Sequence, residues 1–365
     1  MKQLIKKQSR STASRKPERT VGLDLGDRYS FYCMLTGDGE LVEEGRIGST
    51  EAALLKHFAD ETPMRIALEA GTHSPWVSRL LGELGHEVIV ANPRKIRAIT
   101  ASESKNDRND AEKLARIAAC DPKLLSPIQH RSPERQQDLN LIHARSTLVR
   151  ARTMLVNALR GLAKSAGGRL SACSTRSFPE KVRASIPPEL VPVCAPLVEQ
   201  IAQLNLGIAA MDRQVEALGE KYPEIPLLRT VPGVGPIVAA CYVLTLDRPD
   251  AIRANRQAGA YLGLRPGQSQ SGDSNPQRAI SKTGNTCLRS LLVQAAHYVL
   301  GRFGQDSALR RWGLGLAASG GKRGKKRAVV AVARKLAVLL YSMWRSRRPF
   351  EPFPSDAART AAIAA

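Results

Sequence analysis

The stretch Val21-Gly22-Leu23-Asp24-Leu25-Gly26 begins the first regular pattern of this chain. A short apolar run that ends near glycine is typical of a buried strand. Further strand patterns follow at residues 29–35, 40–47, 64–69 and 86–90, with helical patterns at 51–59 and 75–84. Three strands followed by alternating helices and strands predict an α/β fold, a mixed sheet flanked by helices.

Four acids occupy notable places in this pattern. Asp24 lies in the first strand, Glu69 ends the fourth, and Asp107 and Asp110 share one face of a helix that follows the fifth. Each acid has a structural alternative, since carboxylates near a helix start also stabilise the helix dipole. Four converging carboxylates, however, repel one another unless divalent cations lie between them. The set predicts two bound magnesium ions, as used in phosphodiester chemistry.

The charge of the chain points to a polyanionic partner. Its 365 residues are enough for two or three domains, and 55 Lys and Arg against 33 Asp and Glu give a net charge of +22. Nucleic acid is the leading candidate. Because aromatic residues make up only 4%, contact with the nucleic-acid backbone is favoured over base stacking.

Other composition signals concern location and redox state. No run of about 18 apolar residues and no signal-peptide pattern is present, so we expect a cytoplasmic protein without a membrane partner. The six cysteines lie far apart in sequence, without CxxC spacing, and are interpreted as core thiols in a reducing compartment. The six histidines are dispersed, and none is assigned to catalysis or metal binding.

Residues 126–222 predict a helical hairpin. Two apolar seams alternate spacings of three and four residues, as in a coiled coil. They comprise Leu141, Ala144, Leu148, Ala151, Leu155, Ala158 and Leu162, then Leu197, Ile201, Leu204, Ile208, Met211, Val215 and Leu218. The antiparallel coiled coil is either an intramolecular spacer or an oligomerisation element. We favour a dimer or tetramer, because a long projecting hairpin usually needs another surface to cover it.

The C-terminal third contains three candidate nucleic-acid contacts. The turn at 231–237, with Gly233 and Gly235, resembles a helix-hairpin-helix element that holds a phosphate, although a tight inter-helix turn needs the same glycines. A serine-rich loop follows, either a place where a hydroxyl meets DNA or a flexible connector. A later basic run either contacts phosphates or begins a solvated helix. The basic residues concerned are Arg265, Arg278, Lys282, Lys322, Arg323, Lys325, Lys326 and Arg327.

The acid motifs together resemble a known family. Asp24 in Gly-Leu-Asp-Leu-Gly, Glu69 in Ala-Leu-Glu-Ala-Gly-Thr-His, and Asp107 and Asp110 in Lys-Asn-Asp-Arg-Asn-Asp-Ala are similar to the four acids of the DEDD transposases of bacterial insertion sequences, the "IS one-ten" family. The resemblance implies a RuvC-like, ribonuclease H-like N-terminal domain. Asp27 is a near neighbour of the first acid, and the strand position favours Asp24.

The resemblance extends to the serine-rich loop. Gly-Leu-Arg-Pro at 263–266, a Ser-Gly pair five residues on and Ile-Ser-Lys-Thr-Gly-Asn at 280–285 look like the transposase domain that carries the family's nucleophilic serine. By spacing, that serine corresponds to Ser271, with Ser269 and Ser274 as nearby alternatives. The resemblance also implies an active site shared between protomers and a structured guide RNA, encoded by the element, that selects donor and target DNA.

These patterns predict five segments and one main function. A disordered basic arm (1–20) precedes a RuvC-like domain (21–125), a coiled coil (126–222), a mainly α-helical transposase domain (223–352) and a disordered tail (353–365). We expect a DNA transposase or recombinase that cuts and rejoins DNA through a serine–phosphate intermediate. Two alternatives remain, a RuvC-like nuclease that uses metal-activated water and a non-catalytic nucleic-acid-binding scaffold.

Overall fold

The computed structural model describes residues 17–93 and 107–354, except residues 251, 268, 271–273, 275 and 277 and the side chain of Lys322. The chain forms two compact units, Met1–Arg131 and Ser132–Ala365. The predicted division into five segments is finer than these units and stays a prediction. Most of the two predicted disordered ends lies outside the described residues.

The described part of the first unit is an α/β domain, as predicted. Its strands are β1 (Arg19–Asp24), β2 (Tyr29–Thr36), β3 (Leu41–Gly48), β4 (Arg65–Glu69) and β5 (Glu87–Ala91), and its helices are α1 (Glu51–Phe58), α2 (Ser74–Glu83) and α3 (Asp107–Cys120). A short 3-10 helix, Pro122–Leu125, follows α3. Predicted and observed ends of these elements agree within about two residues, because turns bound the apolar runs.

The sheet is mixed, with strand order β3-β2-β1-β4-β5. β1 pairs with β2, and β2 with β3, in antiparallel fashion, whereas β4 lies parallel to both β1 and β5. On one face Val21, Leu23, Ile66 and Leu68 pack with residues of α1 and α2 in one apolar cluster. The opposite face is covered by α3.

Gly22 lets α3 approach the sheet closely. A Cβ atom at this position would stand 2.0 Å from the carbonyl oxygen of Ala111 and 2.5 Å from the amide nitrogen of Ala115. Both alanines are completely buried, together with Cys33 and Leu35 of β2. The backbone of α3 therefore rests directly on β1, where only glycine fits.

The described part of the second unit is helical, as predicted. Its helices are α4 (Pro133–Ser165), α5 (Phe178–Val182), α6 (Val191–Lys221), α7 (Glu224–Leu228), α8 (Pro236–Leu246), α9 (Ala258–Tyr261), α10 (Thr286–Leu300), α11 (Ala308–Ser319) and α12 (Gly324–Ser346). Short 3-10 helices occur at Arg183–Ser185, Pro188–Leu190, Asn255–Gln257 and Gly321–Arg323. The main core lies among α8, α10 and α12, where the buried Tyr242 hydroxyl donates to the carbonyl oxygen of Ala337 at 2.5 Å.

The two long helices, α4 and α6, pack against each other in antiparallel fashion. Ser132 caps α4 by accepting from the amide of Arg135 at 3.2 Å. Arg152 Nη1 donates to Asn205 Oδ1 at 2.8 Å, and Lys221 Nζ contacts Asp138 Oδ2 at 2.7 Å. As residue numbers rise along α4, those of the partners on α6 fall.

The side of α4 that faces α6 differs by about one residue from the predicted seam. Fully buried residues of α4 are Leu139, Ile142, Val156, Leu159 and Ala163, whereas Ala144 and Ala158 of the predicted seam are exposed. The predicted seam of α6 agrees better, because Ile201, Ile208, Val215 and Leu218 are buried. A Leu and Ala stripe on α4 therefore stays partly open beside the helix contact.

By length and composition, the helical run at 188–221 that contains α6 is apolar enough to cross a membrane. A helix that buries an apolar stripe inside a folded domain can have the same length and composition. The finding is therefore weak support for a membrane span. The other side of α6 carries charged residues such as Arg213, Glu216 and Glu220, all exposed.

Candidate catalytic and nucleic-acid-binding sites

Asp24 and Glu69 lie side by side at one edge of the sheet. Leu23 pairs with Leu68 across the parallel β1–β4 ladder, and each acid is the residue that follows and ends its strand. Because side chains alternate along a strand, Asp24 shares a face with Gly22, and Glu69 shares that face with Ala67. Both half-buried acids therefore belong to the face covered by α3.

The direction of α3 brings its acids to the same edge. Near the end of the helix, the carbonyl oxygen of Ala118 accepts from Arg65 Nη1 at 3.1 Å, and Arg65 begins β4. Arg116 Nη1 donates to the carbonyl oxygen of Gly39 at 3.5 Å, in the turn beside the start of β1. The last turns of α3 thus lie at the strand starts. Its first turn, which carries the other two acids, lies toward the strand ends.

Within that first turn, Asp107 and Asp110 continue the sheet-facing stripe of α3. They precede the buried Ala111 and Leu114 by one helical turn, so they project from the same side. Arg108 lies between them, and its Nε atom donates to Glu44 Oε2 of β3 at 2.7 Å. This ion pair links the start of α3 to β3.

The four acids share an edge without forming a closed metal centre. Among the described residues, which include all four acids, no group of three His, Cys, Asp or Glu side chains is close enough to hold one metal ion. Asp107 is exposed, and Asp110 forms an ion pair with Lys113 at 3.5 Å. Carboxylate oxygens are the ligands that Mg²⁺ prefers, so the donor set suits this ion.

Two findings refine the predicted acid set. Asp27, the alternative first acid, lies three residues beyond the end of β1, and its side chain is 95% exposed and 3.7 Å from His73 Nε2. Lys113 was not singled out from the sequence, although its spacing of three residues from Asp110 was the available signal.

The glycine turn of the second unit lies between α7 and α8. The amide of Val234 donates to the carbonyl oxygen of Val231 at 3.0 Å, and Gly235 caps α8, whose first residue is Pro236. Gly233 packs against the ring of Tyr298, and a Cβ atom at Gly235 would meet open space. The start of α8 is therefore accessible to a phosphate group.

The serine-rich loop has a fixed base. The amide of Ser281 donates to the carbonyl oxygen of Arg265 at 2.9 Å, and Pro266 and Ile280 form an antiparallel bridge. Gly263 and Gly284 have φ angles of +69° and +77°, which strongly favour glycine. A Cβ atom at Gly263 would stand 2.2 Å from the carbonyl oxygen of Thr283, and one at Gly284 would stand 2.3 Å from that of Tyr261.

The predicted contact residues of this loop are partly described. Arg265, Arg278 and Lys282 are exposed, as is Ser274. Ser271 lies outside the described residues. Arg289, at the start of α10, donates to the carbonyl oxygens of Leu262 and Thr283 at 3.2 and 2.8 Å, which ties both ends of the loop to that helix.

The basic run lies at the start of α12. Arg323, Lys325, Lys326 and Arg327 are exposed, and α12 has no acid in its first turn. Cations at the positive end of a helix dipole are unfavourable by themselves, so this arrangement attracts an anion. The side chain of Lys322 lies outside the described residues.

Comparison with known proteins identifies the family. Residues 21–166 match the model DEDD_Tnp_IS110, described as "Transposase", and residues 225–311 match one described as "Transposase IS116/IS110/IS902 family". A "probable family 20 transposase" of Pseudomonas aeruginosa is 31% identical over 81% of this chain and 88% of its own length. The "transposase for insertion sequence element IS1111A" of Coxiella burnetii is 25% identical over 93% of this chain and 92% of its length. For the "pilin gene-inverting protein" of Moraxella bovis the identity is 25%, over 81% and 84%.

The two matched segments contain the acids of the first unit and the glycine turn and serine-rich loop of the second. The chain therefore belongs to the IS116/IS110/IS902 family of transposases of insertion sequences, and it is a DNA transposase.

Proposed function

We propose that this transposase cuts and rejoins DNA through a covalent serine–phosphate intermediate formed at Ser271. Four acids bind magnesium for this reaction, namely Asp24, Glu69, Asp107 and Asp110. The observation that carries the proposal is that two strand ends and one helix start, each with its carboxylates, lie toward the same edge of the sheet. Carboxylates gathered at one place are stable when cations offset their repulsion.

The fold of the first unit supports this reading. A five-stranded sheet in the order 3-2-1-4-5, with only its second strand antiparallel to the others, is the arrangement implied by the resemblance to RuvC-like, ribonuclease H-like domains. Acids at the ends of β1 and β4 occupy the central strands of that sheet. We assign the first unit to this fold.

Magnesium at this edge would be held by Asp24 and Glu69 together with the acids of α3. Two such ions are the usual number in phosphodiester chemistry, and when bound they lower the pKa of an attacking hydroxyl and neutralise charge on the transferred phosphate. Lys113 forms an ion pair with Asp110, and a metal ion bound by Asp110 would compete with it.

The serine step is balanced without an external energy source. Ser271 Oγ loses its proton and bonds to phosphorus, while the bond to the leaving sugar oxygen breaks and that oxygen takes up a proton. The phosphoserine keeps the energy of the broken bond for the reverse attack by another DNA end. The sequence contains no GxxxxGK[ST] pattern, in agreement with a reaction that needs no ATP.

Nucleic acid would be held mainly through its phosphates. The exposed Arg265, Arg278 and Lys282 surround the serine-rich loop, and the basic run at 322–327 and the glycine turn add further contacts. An element-encoded structured RNA that pairs with donor and target DNA suits a chain with a charge of +22 and few aromatics. We place this complex in the bacterial cytoplasm, at the nucleoid.

The α4–α6 pair is the proposed coiled coil and the route to a dimer or tetramer. On α4 the stripe from Leu141 to Leu162 alternates Leu and Ala and carries no charge. Because this stripe stays partly open beside α6, a second copy of the hairpin can cover it. The acids of one protomer can then serve the serine of another.

Trapping on DNA tests the proposal. With magnesium and a DNA end of the element, we expect a covalent protein–DNA adduct that Ser271→Ala abolishes and that Ser269→Ala and Ser274→Ala retain. Free cleaved ends that persist in Ser271→Ala would support the water-using nuclease instead. DNA binding without any strand breakage would support the third interpretation, a non-catalytic nucleic-acid-binding scaffold.

The acids are tested by a matched pair of variants. Asp107→Asn should lower strand cleavage about a thousandfold, because metal ligands supply several kcal/mol of stabilisation to the transition state. DNA binding should stay unchanged in a gel-shift assay. Asp27→Asn, which alters the exposed neighbour of Asp24, should keep full activity. An equal loss of binding in Asp107→Asn would make that acid structural.

A further inference from the structure

The helices α11 and α12 meet along a seam that is open to solvent. Lys335 Nζ of α12 lies 4.1 Å from the centroid of the Trp312 ring on α11. Gly320, eight residues after Trp312, ends α11, and its carbonyl oxygen accepts from Arg327 Nη2 at 2.7 Å. Since Arg327 precedes Lys335 by eight residues, these contacts align the two helices in antiparallel fashion and mark the two ends of the seam.

The residues halfway along continue the seam. Positions four residues apart share a helix face, so Leu316 of α11 and Ala331 of α12 lie between the two contacts. Trp312 and Leu316 are 38% and 36% exposed, and Arg327 and Lys335 are exposed as well. At 1.5 Å per residue the seam is about 12 Å long. Its α11 side is aromatic and apolar, and its α12 side carries a cation at each end.

The charge of this part of the chain has one sign. Residues 307–350, which include both helices and the turn between them, contain Lys and Arg but no Asp or Glu. The exposed Lys325 and Lys326 extend the cationic side beyond Arg327. A surface that combines an exposed indole with cations suits a ligand that has flat rings and negative charge. Unpaired nucleotides have both features.

We propose that the seam binds unpaired nucleotides of DNA, with a base stacked on the Trp312 ring and phosphates held by Lys335 and Arg327. A base inside a duplex has both faces covered by its neighbours, so the indole selects single-stranded over double-stranded DNA. At about 3.4 Å for each stacked nucleotide, the seam accommodates about three of them. The cutting and rejoining of DNA produces such unpaired stretches at the strand ends.

The seam lies, in sequence, beyond the segment 225–311 that matches the transposase family. Its role rests on the phosphate contacts proposed above for the basic run and adds the form of strand that this surface takes. Neither the serine intermediate nor the acids take part, and binding can be measured without cleavage. Failure at the seam therefore leaves the reaction proposed for Ser271 standing, and failure of that reaction leaves the seam.

Anisotropy of a fluorescein-labelled oligodeoxythymidylate, measured without magnesium, tests the site on the full chain. Trp312→Ala should weaken binding of this single strand about tenfold, because one base–aromatic stack is lost. Trp312→Leu keeps an apolar side chain and should lose about as much, whereas Trp312→Phe keeps a ring and should stay within about threefold of the wild type. Affinity for a duplex of the same length should change by less than about twofold in all three variants.

Leu314→Ala is the matched control, since Leu314 is exposed on α11 but falls outside the four-residue repeat that forms the seam. Both affinities should stay at their wild-type values. An equal loss for single strand and duplex in Trp312→Ala would overturn the proposal, as would unchanged binding of the single strand. Binding of phosphatidylglycerol vesicles that requires Trp312 and that oligodeoxythymidylate does not displace would assign the seam to a membrane surface instead.

Tryptophan emission gives a direct readout of stacking. Trp344 is buried and Trp76 is partly buried, so Trp312 is the exposed indole among the three tryptophans. Saturating oligodeoxythymidylate should quench the emission of the wild type and of Trp76→Phe. The quenching should disappear in Trp312→Phe, although this variant still binds the strand. Quenching that persists in Trp312→Phe would contradict stacking on this ring.

Discussion

The two units hold their candidate catalytic residues by different means. In the first unit, Asp24 and Glu69 are the last residues of paired strands, and the hydrogen-bonded ladder sets their face and spacing. In the second, the segment that contains Ser271 has a base that is fixed where the backbones at Gly263 and Gly284 touch neighbouring carbonyl groups. Regular pairing places side chains directly, whereas the glycine contacts place only the two ends of a loop.

The largest loss of stability should come from a substitution at Gly22, where α3 rests on β1. We expect Gly22→Ala to lower the free energy of unfolding of the first unit by about 3 kcal/mol, since the new Cβ would overlap the backbone of α3. Hydrogen exchange measured by mass spectrometry reports each unit separately. Protection should fall in β1 and α3 and stay unchanged in the second unit.

Gly82→Ala is the control for that change. Gly82 lies within α2 with no atom near the position of a Cβ. Alanine there should stabilise the unit by about 0.5–1 kcal/mol, because glycine is the weaker helix former. Unchanged protection of α3 in Gly22→Ala would show that this helix does not rest on β1.

A smaller effect is expected at the base of the loop. Gly284→Ala should lower the stability of the second unit by about 2 kcal/mol, from the positive φ together with the approach of the Tyr261 carbonyl oxygen. Gly85→Ala, with a φ of +90° and open space around it, should cost its unit only about 1 kcal/mol. If denaturant unfolding showed equal losses of stability in the two variants, the approach of the Tyr261 carbonyl oxygen would add nothing to the cost of the positive φ angle.

The smallest effect concerns metal and the acids. Magnesium at ten times its dissociation constant should raise the stability of the first unit by about 1.4 kcal/mol, as for any ligand that binds only the folded state. Calorimetry should show this gain in the wild type and little of it in Asp24→Asn. A similar gain in both proteins would mean that the cation binds elsewhere.

The sheet and its acids were largely predictable because apolar runs and turns bound each strand. The ends of β1 and β4 place Asp24 and Glu69 at one edge once the parallel register is known. The sequence pattern predicted a mixed sheet but not that register. The pairing of Asp110 with Lys113 was missed, although the two residues have the spacing of neighbours on one helix face.

The contact between α4 and α6 was harder to predict, since polar side chains take part in it. Arg145 forms an ion pair with Asp212, and Arg152 donates to Asn205, so the interface includes positions that an apolar seam leaves out.

The glycine contacts at 263 and 284 also bear on how related loops can differ in length. Because both ends of the segment are fixed independently of what lies between them, doubling its length would add only about 0.6 kcal/mol of closure entropy. We expect insertions and deletions here to leave α8, α10 and α12 intact. The segment that carries the proposed nucleophile can therefore be replaced by a segment of another length while the surrounding helices stay the same.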